Sequence, residues 1–250
     1  MRLLAEGRWP EDIDLWHVSF DFDGARLHEA PFLDTAERER AARFHQLADR
    51  VRFASTRSVL RELLGQYLRI DPATVPLVVS GRGKPELAGS ACGRLSFNVS
   101  HAGDHALIAI SSRRTVGIDI ERIDAAINWR ELAALVCTPS EHQAIERSSP
   151  NIQPVQFFRC WTAKEALLKA LGLGITAGLL ALRVDPREER SCGRPQVVDN
   201  AHAFEGALAL RYGWLSDIDG YLGCLAYECD TGACSPTFAG PRSSINSEKK

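Results

Sequence analysis

The hydrophobic pattern of the chain changes twice from helical spacing to the alternation typical of strands, and this order restricts its fold. Apolar residues recur at helical spacing within residues 34–70, and short apolar strands follow. Helical patterns return between residues 129 and 171, after which strands alternate with turns up to Tyr227. Helices followed by strands, repeated once, predict an α+β fold of two similar α/β halves, joined near Arg113 and Arg114.

The same pattern predicts the division of the chain. We expect an N-terminal half over 1–112, a C-terminal half over 113–230 and a flexible tail over 231–250, because the tail is mostly Ser, Gly, Pro and charged residues. The elements predicted are helices within 34–70 and over 129–136, 139–146 and 155–171, strands over 77–80, 95–99, 106–111, 115–123, 207–212 and 221–227, and a turn over 100–105.

Composition excludes several classes of protein. The 250 residues are 45% hydrophobic and 25% charged, as in ordinary globular proteins, and the net charge of −2 lacks the basic excess of nucleic-acid-binding domains. No apolar run is long enough for a signal peptide or a membrane span, and the seven cysteines include no CxxC pair. We therefore expect a cytoplasmic protein without nucleic-acid or membrane partners.

Two carboxylates share one face of the predicted strand over 115–123. Asp119 and Glu121 alternate with Val116, Ile118 and Ile120, so the acidic side chains point to one side and the apolar ones to the other. The pair would repel unless a divalent cation lay between the carboxylates, and Mg²⁺ is often held in this way together with phosphates. A half-buried strand with a solvated face is the alternative.

The predicted helix over 155–171 carries a second pair of charges. Glu165 and Lys169 are four residues apart and so lie on one helical face. A surface salt bridge is the simple interpretation, but the helix is apolar on most other sides. At a buried site Glu165 is a candidate third metal ligand or general base, and Lys169 a candidate phosphate contact.

Lysine is rare in this chain, so the few lysines are candidates for positions where a compact ammonium group is needed. Of 30 basic residues only five are Lys, and Lys84, Lys164 and Lys169 are the only ones ahead of the last two positions. Lys84 lies in the turn Gly81–Pro85, which lacks the P-loop pattern. Ser100 and His101, placed in a predicted turn, offer donors suited to a phosphate, whereas no GxSxG motif supports a serine hydrolase.

Four motifs occur in order between residues 81 and 174: GRGKP, FNVSHA, VGIDIE and WTAKEALLKALGLG. Together they resemble those of the 4′-phosphopantetheinyl transferase superfamily, in particular its larger, surfactin-synthetase-activating type. The resemblance implies a monomeric pseudo-dimer with an internal pseudo-two-fold axis and coenzyme A in the cleft between its halves. It also implies transfer of the 4′-phosphopantetheine group to a serine of an apo carrier protein or carrier domain, with release of adenosine 3′,5′-bisphosphate.

By position, the resemblance also implies roles for individual residues. Asp119, Glu121 and Glu165 would bind Mg²⁺, or Mn²⁺ in its place, and Lys169 would contact the pyrophosphate. Glu165 or Glu121 would accept the serine proton, directly or through water. The implied coenzyme contacts are Ser100, His101 and Arg61 near the 3′-phosphate, and Lys84 and Pro85 near the adenine, with Arg52 as a further candidate.

The resemblance leaves two features without assigned residues: a further contact to the 3′-phosphate and the surface that binds the carrier protein. Lysines expected ahead of the arginine-rich helix are missing, and Arg38, Arg40 or Arg43 would have to replace them. Residues 126–149 lie between the acidic strand and the Glu165 helix, and we expect them to contact the carrier protein.

Two other functions use the same residues. A metal-dependent phosphodiesterase or nuclease would also need carboxylates and a lysine, but it predicts a basic surface that the net charge of −2 does not favour. A non-catalytic module that binds carrier proteins would not need the acidic positions, all of which are present in this chain.

Overall fold

The computed structural model of the chain describes residues 1–22, 30–81, 83–124, 126–174, 178–188, 192–198 and 202–229. The predicted tail over 231–250 lies outside these ranges. Within them, every helix is too short or too polar to cross a membrane.

Residues before position 113 form one four-stranded antiparallel sheet, a small hairpin and two helices. The sheet has the strand order β1-β2-β6-β5. The elements are β1 (Arg2–Leu3), β2 (Ile13–Ser19), α1 (Thr35–Ala42), α2 (Leu47–Leu68), β3 (Leu77–Val79), β4 (Pro85–Leu87), β5 (Ser96–Ala102) and β6 (His105–Ser111).

The described residues after position 113 form a three-stranded antiparallel sheet, a short two-stranded sheet and three α-helices. The larger sheet has the order β10-β11-β7. The elements are β7 (Val116–Arg122), α3 (Trp129–Val136), α4 (Pro139–Glu146), α5 (Gln153–Ala170), β8 (Leu182–Arg183), β9 (Gln196–Val197), β10 (Leu210–Leu215) and β11 (Tyr221–Glu228).

The two parts of the chain repeat one connectivity. In the first part a strand, β2, leads into helices and then into the hairpin β5–β6, whose second strand takes the centre of the sheet. In the second part β7, the helices and the hairpin β10–β11 follow the same order, again with the last strand central. The predicted α+β class is confirmed.

The two sheets pack against each other, and each carries a long helix on its outer face. Alternation along β6 shows this arrangement, because Ile108 packs with Leu64 of α2 whereas Leu107 packs with Ile118 and Leu225 of the other sheet. On the far side, α5 covers β7 and β11. The order of layers is therefore helix, sheet, sheet, helix.

The edge strands of the two sheets, β5 and β7, run side by side and are joined by side chains. Ser96 Oγ accepts a hydrogen bond from Val116 N at 3.1 Å, and Asn98 Oδ1 accepts one from Ile118 N at 2.9 Å. Both bonds join residues 20 positions apart, so the strands are parallel. We call these four residues, with their two bonds, the seam.

Gly117 allows α5 to pack directly on β7. A Cβ atom at this position would lie 2.5 Å from the backbone nitrogen of Ala170 and would also clash with the carbonyl oxygen of Ala166. Because the α5 backbone occupies that space, only glycine fits here. The neighbouring Asp119 and Glu121, on the same face of β7, are consequently held next to the side chains of α5.

Most predicted elements are confirmed, and the differences have physical causes. The region over 34–70 is two helices, because a capping box formed by Asp34 and Glu37 starts α1 and the chain leaves helical geometry before Leu47. The turn over 100–105 is shorter than predicted, since Gly103 (φ 52°) forms a tight connection and both Ser100 and His101 belong to β5.

The remaining differences concern strands. The strand predicted over 207–212 begins only at Leu210, because 3-10 geometry extends over His202–Ala209. Strand β2 was not predicted, although the buried Ile13 and Leu15 alternate with Asp14 and Trp16 as its pairing with β6 requires. The strands β1, β4, β8 and β9 were not predicted either, because two or three residues are too few to show an alternation.

Replacing Gly117 by Ala should destabilise the protein, because the added methyl group meets helix backbone. Overpacking of this kind costs about 1–3 kcal/mol, which corresponds to a fall of roughly 2–10 °C in melting temperature for a chain of this size. Thermal unfolding followed by circular dichroism measures the difference. Gly81→Ala is the control, since a Cβ there has no neighbour within 4 Å. Equal melting temperatures for the two variants would contradict this packing.

Candidate active site

Three carboxylates from two elements converge where α5 crosses β7. Asp119 and Glu121 extend from β7, Glu165 extends from α5, and one oxygen of each lies within 4.8 Å of the others. Asp119 is 1% exposed and Glu165 is 6% exposed, so these charges are largely removed from water. We call Asp119, Glu121 and Glu165 the acidic cluster.

One ammonium group lies against the acidic cluster. Lys169 Nζ is 2.6 Å from Asp119 Oδ1 and 3.6 Å from Glu165 Oε2. It also donates to Ser100 Oγ at 3.0 Å, and Ser100 in turn donates to Asp119 Oδ1 at 2.8 Å. Ser100 therefore links β5 to the charged groups of β7 and α5. A single lysine faces three carboxylates, which leaves the ionised cluster with excess negative charge.

This excess shifts the proton affinities of the cluster. Burial, together with the charges of Asp119 and Glu165, raises the pKa of Glu121 to about 7. Burial and the charge of Asp119 likewise raise the pKa of Glu165 to about 6, against the opposing effects of Lys169 and Trp161. Burial alone would lower the pKa of Lys169, but the surrounding carboxylates outweigh it and the pKa is raised.

The donor set of the acidic cluster fits a hard divalent cation. Asp119 Oδ1 is occupied by Ser100 and Lys169, whereas the buried Oδ2 has no hydrogen-bond partner among the residues that the structure describes. An anionic oxygen buried without a partner is costly. Carboxylate oxygens are the ligands that Mg²⁺ and Mn²⁺ prefer, and a cation among them would satisfy Oδ2 and neutralise the repulsion.

Trp161 orients Glu165 and was not identified from the sequence. Its indole Nε1 donates to Glu165 Oε1 at 2.5 Å. This bond fixes one oxygen of Glu165 and leaves Oε2 on the side of Lys169. The spacing of four residues on one helix is the sequence signal for this contact.

Lys84 and Pro85 lie at the end of α5. Lys84 Nζ donates to the carbonyl oxygen of Lys169 at 3.4 Å, and burial lowers the pKa of Lys84. Pro85 is the first residue of β4 and is partly buried. The structure thus brings Lys84 of the GRGKP motif next to Lys169.

His101 and Arg52 lie beside the same strand end. Partial burial and the positive charges of Arg52 and Lys169 lower the pKa of His101. Arg52 Nε donates to the carbonyl oxygen of Gly103 at 2.5 Å, and its Nη1 bonds Asp49 at 2.5 Å. Since neighbouring strand residues point to opposite faces, His101 faces away from Ser100.

Arg61 is not part of this site. It is 1% exposed, and its guanidinium bonds Glu37 at 2.6 Å and Asp34 at 2.6 Å, next to the start of α1. Its Nη1 also donates to the carbonyl oxygen of Val75 at 2.9 Å. Because buried partners occupy its donors, we correct the prediction of a phosphate contact and assign Arg61 to the packing of α1 on α2.

The three arginines suggested as replacements for missing lysines also have local contacts. Arg38 donates to the carbonyl oxygen of Leu33, Arg40 lies over the ring of Phe53, and Arg43 donates to the carbonyl oxygen of Glu39. The structure does not bring these side chains to the acidic cluster, and none of them enters the proposed site.

Lys164 points away from the acidic cluster into the core. The side chain is fully buried and donates to Glu141 Oε2 at 2.6 Å and to the carbonyl oxygen of Val136 at 2.7 Å. Glu141 also accepts from Thr138 N and Val184 N, so the carboxylate is fully used. Lys164 therefore ties α5 to α3 and α4, and loss of either charge would cost about 3–5 kcal/mol.

Comparison with known proteins assigns this sequence to a family. The model of the 4′-phosphopantetheinyl transferase superfamily matches residues 115–212, and the model described as 4′-phosphopantetheinyl transferase, N-terminal, matches residues 25–113. 4′-Phosphopantetheinyl transferase HetI of Nostoc sp. is 38% identical over 168 residues, 66% of this chain and 70% of that protein. The chain belongs to the 4′-phosphopantetheinyl transferase superfamily.

Other relatives of this transferase carry similar names. A putative 4′-phosphopantetheinyl transferase, slr0495, of Synechocystis sp. is 34% identical over 59% of this chain and 60% of its own length. A phosphopantetheinyl transferase of Thraustochytrium sp. is 32% identical over 63% of this chain and 58% of its own length. The predicted family and enzyme class are confirmed; the surfactin-synthetase-activating type stays a prediction.

Binding of Mn²⁺ to the acidic cluster should strengthen as the pH rises. At pH 5.5 protons occupy Glu121 and part of Glu165, whose pKa values are about 7 and about 6, so the cation must displace them. We expect affinity at pH 8 to exceed that at pH 5.5 by more than about tenfold. Electron paramagnetic resonance of free Mn²⁺ measures it.

The metal-free protein should show the opposite trend in stability. The pKa of Glu121 is above its ordinary value of 4.5 in the folded state, so the contribution of this group to stability falls as the pH rises from 4.5 towards 7. Glu121→Gln is the control, because Glu121 has the larger pKa shift of the two glutamates in the acidic cluster. This variant should flatten the pH dependence of both Mn²⁺ affinity and stability. An Mn²⁺ affinity independent of pH would contradict the electrostatics of the cluster.

Proposed function

We propose that this transferase moves the 4′-phosphopantetheine group from coenzyme A to a serine hydroxyl of an apo carrier protein or carrier domain. Adenosine 3′,5′-bisphosphate is the other product. The observation that carries the proposal is the buried acidic cluster around Lys169, built from the VGIDIE and WTAKEALLK segments of a chain in this superfamily.

The proposed substrate explains why cations and carboxylates meet here. The acidic cluster would hold Mg²⁺, or Mn²⁺ in its place, and the ion supplies charge neutralisation for the pyrophosphate of coenzyme A. With the carboxylates compensated, Lys169 can direct an Nζ hydrogen to a pyrophosphate oxygen. Lys84, Pro85, Ser100, His101 and Arg52 are the proposed contacts to the nucleotide part.

Little covalent chemistry is required of the protein. Attack of a serine oxygen on the β-phosphorus forms one P–O bond and breaks the P–O bond to the departing 3′,5′-bisphosphate, so alignment and charge stabilisation dominate. The serine proton passes to a carboxylate, and the raised pKa values of Glu165 and Glu121 suit that role. Glu165 or Glu121 is the base in this proposal, directly or through water.

We further propose that the chain is a monomeric pseudo-dimer of 1–112 and 113–230, with coenzyme A in a cleft between the halves. Two observations support this. The halves repeat one strand order and connectivity. Ser100 of the first half also bonds Asp119 and Lys169 of the second, so the proposed site draws on both.

Substitutions in the acidic cluster should abolish modification of a carrier. Asp119→Ala and Glu165→Ala each remove a proposed metal ligand, and we expect at least about a hundredfold loss of kcat/KM, measured as mass gain of an apo carrier protein incubated with coenzyme A and Mg²⁺. Glu62→Ala, an exposed acid on α2, is the control. Full activity of both cluster variants would refute the assignment.

The same assay separates the other functions. Hydrolysis of DNA or RNA by the wild-type protein with Mg²⁺, without modification of any carrier, would support a nuclease. Tight carrier binding without mass gain would support a non-catalytic module. A panel of apo carriers from different biosynthetic systems, read by mass, identifies the physiological class of carrier.

Residues 126–149 are proposed to contact the carrier, since they join the acidic strand β7 to α5. This segment includes α3 and α4, and Leu135 on α3 is 67% exposed. An exposed apolar side chain on this segment suits a helical partner. Leu135→Glu should raise KM for the carrier about tenfold and leave KM for coenzyme A unchanged.

A leucine outside that segment provides the control for carrier binding. Leu47, at the start of α2, is 51% exposed, and Leu47→Glu makes the same chemical change there. Unaltered carrier KM in Leu135→Glu, or an equal increase in Leu47→Glu, would refute docking on residues 126–149.

A further inference from the structure

The seam between the two sheets ends at the acidic cluster. The bond between Asn98 and Ile118 is the one nearest to the cluster. Asn98 is 4% exposed, and its Oδ1 accepts from Ile118 N at 2.9 Å. Ile118 immediately precedes Asp119, and Ser100, two residues beyond Asn98, bonds Asp119. We propose that Asn98 is a positioning residue that fixes β5 against β7 and thereby places Ser100 against Asp119 and Lys169.

In the seam, side-chain oxygens accept the hydrogen bonds that backbone carbonyl oxygens would accept within a sheet. β5 and β7 belong to separate sheets, and the described bonds between their backbones run through the oxygens of Ser96 and Asn98. A backbone ladder sets the register of two strands through many bonds. Here two bonds to the backbone of β7, with the Ser100–Asp119 bond beyond them, set the register, so loss of one affects the alignment strongly.

Asn98 is the side chain best placed to transmit this alignment. The amide oxygen is near-fully buried, where a hydrogen bond is strong and its loss leaves the N–H of Ile118 without this acceptor. Asp119 follows that N–H by one residue, so a shift of β7 at Ile118 moves the carboxylate directly.

Ser100 makes the site sensitive to such a shift. It bridges Asp119 Oδ1 at 2.8 Å and Lys169 Nζ at 3.0 Å, and these bonds keep Oδ1 occupied while Oδ2 stays available to a cation. A displacement of about 1 Å would break both bonds, and misplacement of that size can cost about a hundredfold in rate.

The chain supplies a matched control in the same seam. Ser96 accepts from Val116 N at 3.1 Å, which is the same kind of bond one step farther from the acidic cluster. Removing it in Ser96→Ala should lower stability in a similar way without moving Asp119. A merely structural seam would make the two positions equivalent.

The test compares Asn98→Leu, which keeps the side-chain shape but lacks the acceptor, with Ser96→Ala and wild type. Melting temperature, Mn²⁺ affinity without coenzyme A, and kcat and KM for carrier modification are measured at least 15 °C below each midpoint. For Asn98→Leu we expect Mn²⁺ affinity and kcat to fall about tenfold or more, with KM for coenzyme A within about threefold. For Ser96→Ala both should stay within about twofold of wild type.

The proposal would be overturned if folded Asn98→Leu kept the Mn²⁺ affinity and kcat of the wild type. It would also be overturned if Ser96→Ala lost as much Mn²⁺ affinity and kcat as Asn98→Leu. If Asn98→Leu does not fold, Asn98→Ser, whose hydroxyl lies farther from Ile118 N, is judged by the same criteria. The kinetic arm rests on the proposed transfer reaction, whereas the Mn²⁺ arm rests only on metal binding by the acidic cluster. Absence of carrier modification by wild type would therefore refute the function and still leave the Mn²⁺ comparison to decide the role of Asn98.

Discussion

The close contact between α5 and β7 at Gly117 is the constraint on which the rest of the site depends. Because the helix backbone lies directly on the strand, the side chains next to Gly117 must share the space with those of α5. Asp119 and Glu121 on one element and Glu165 and Lys169 on the other are thus brought within a few ångströms. The Lys164–Glu141 pair holds the opposite side of the same helix.

Charge then determines what such a site can do. Two buried carboxylates, one partly buried carboxylate and one lysine carry excess negative charge, which protons, a divalent cation or both must balance. The raised pKa values of Glu121 and Glu165 reflect this excess. A cation would also bind a phosphate-bearing substrate, since the same ion neutralises the carboxylates and the phosphates. The superfamily assignment and the electrostatics of the cluster therefore point to one chemistry.

Local patterns predicted most of this site, and distant contacts explain what they missed. Strand alternation placed Asp119 and Glu121 on one face, and helical spacing placed Glu165 with Lys169. The roles of Arg61 and Lys164 depend on partners more than 20 positions away, Glu37 and Glu141, which spacing cannot reveal. Strand β2 was missed although Ile13 and Leu15 alternate with Asp14 and Trp16, because so short an alternation becomes decisive only with its pairing to β6.

We propose that a divalent cation and coenzyme A bind together at the acidic cluster beside Lys169. A crystal structure of the protein with coenzyme A and Mn²⁺, with anomalous diffraction used to locate the metal, is the decisive measurement. We expect an anomalous peak bonded to oxygens of Asp119, Glu121 and Glu165, with the pyrophosphate next to Lys169. A peak elsewhere, or coenzyme A bound away from these residues, would contradict it.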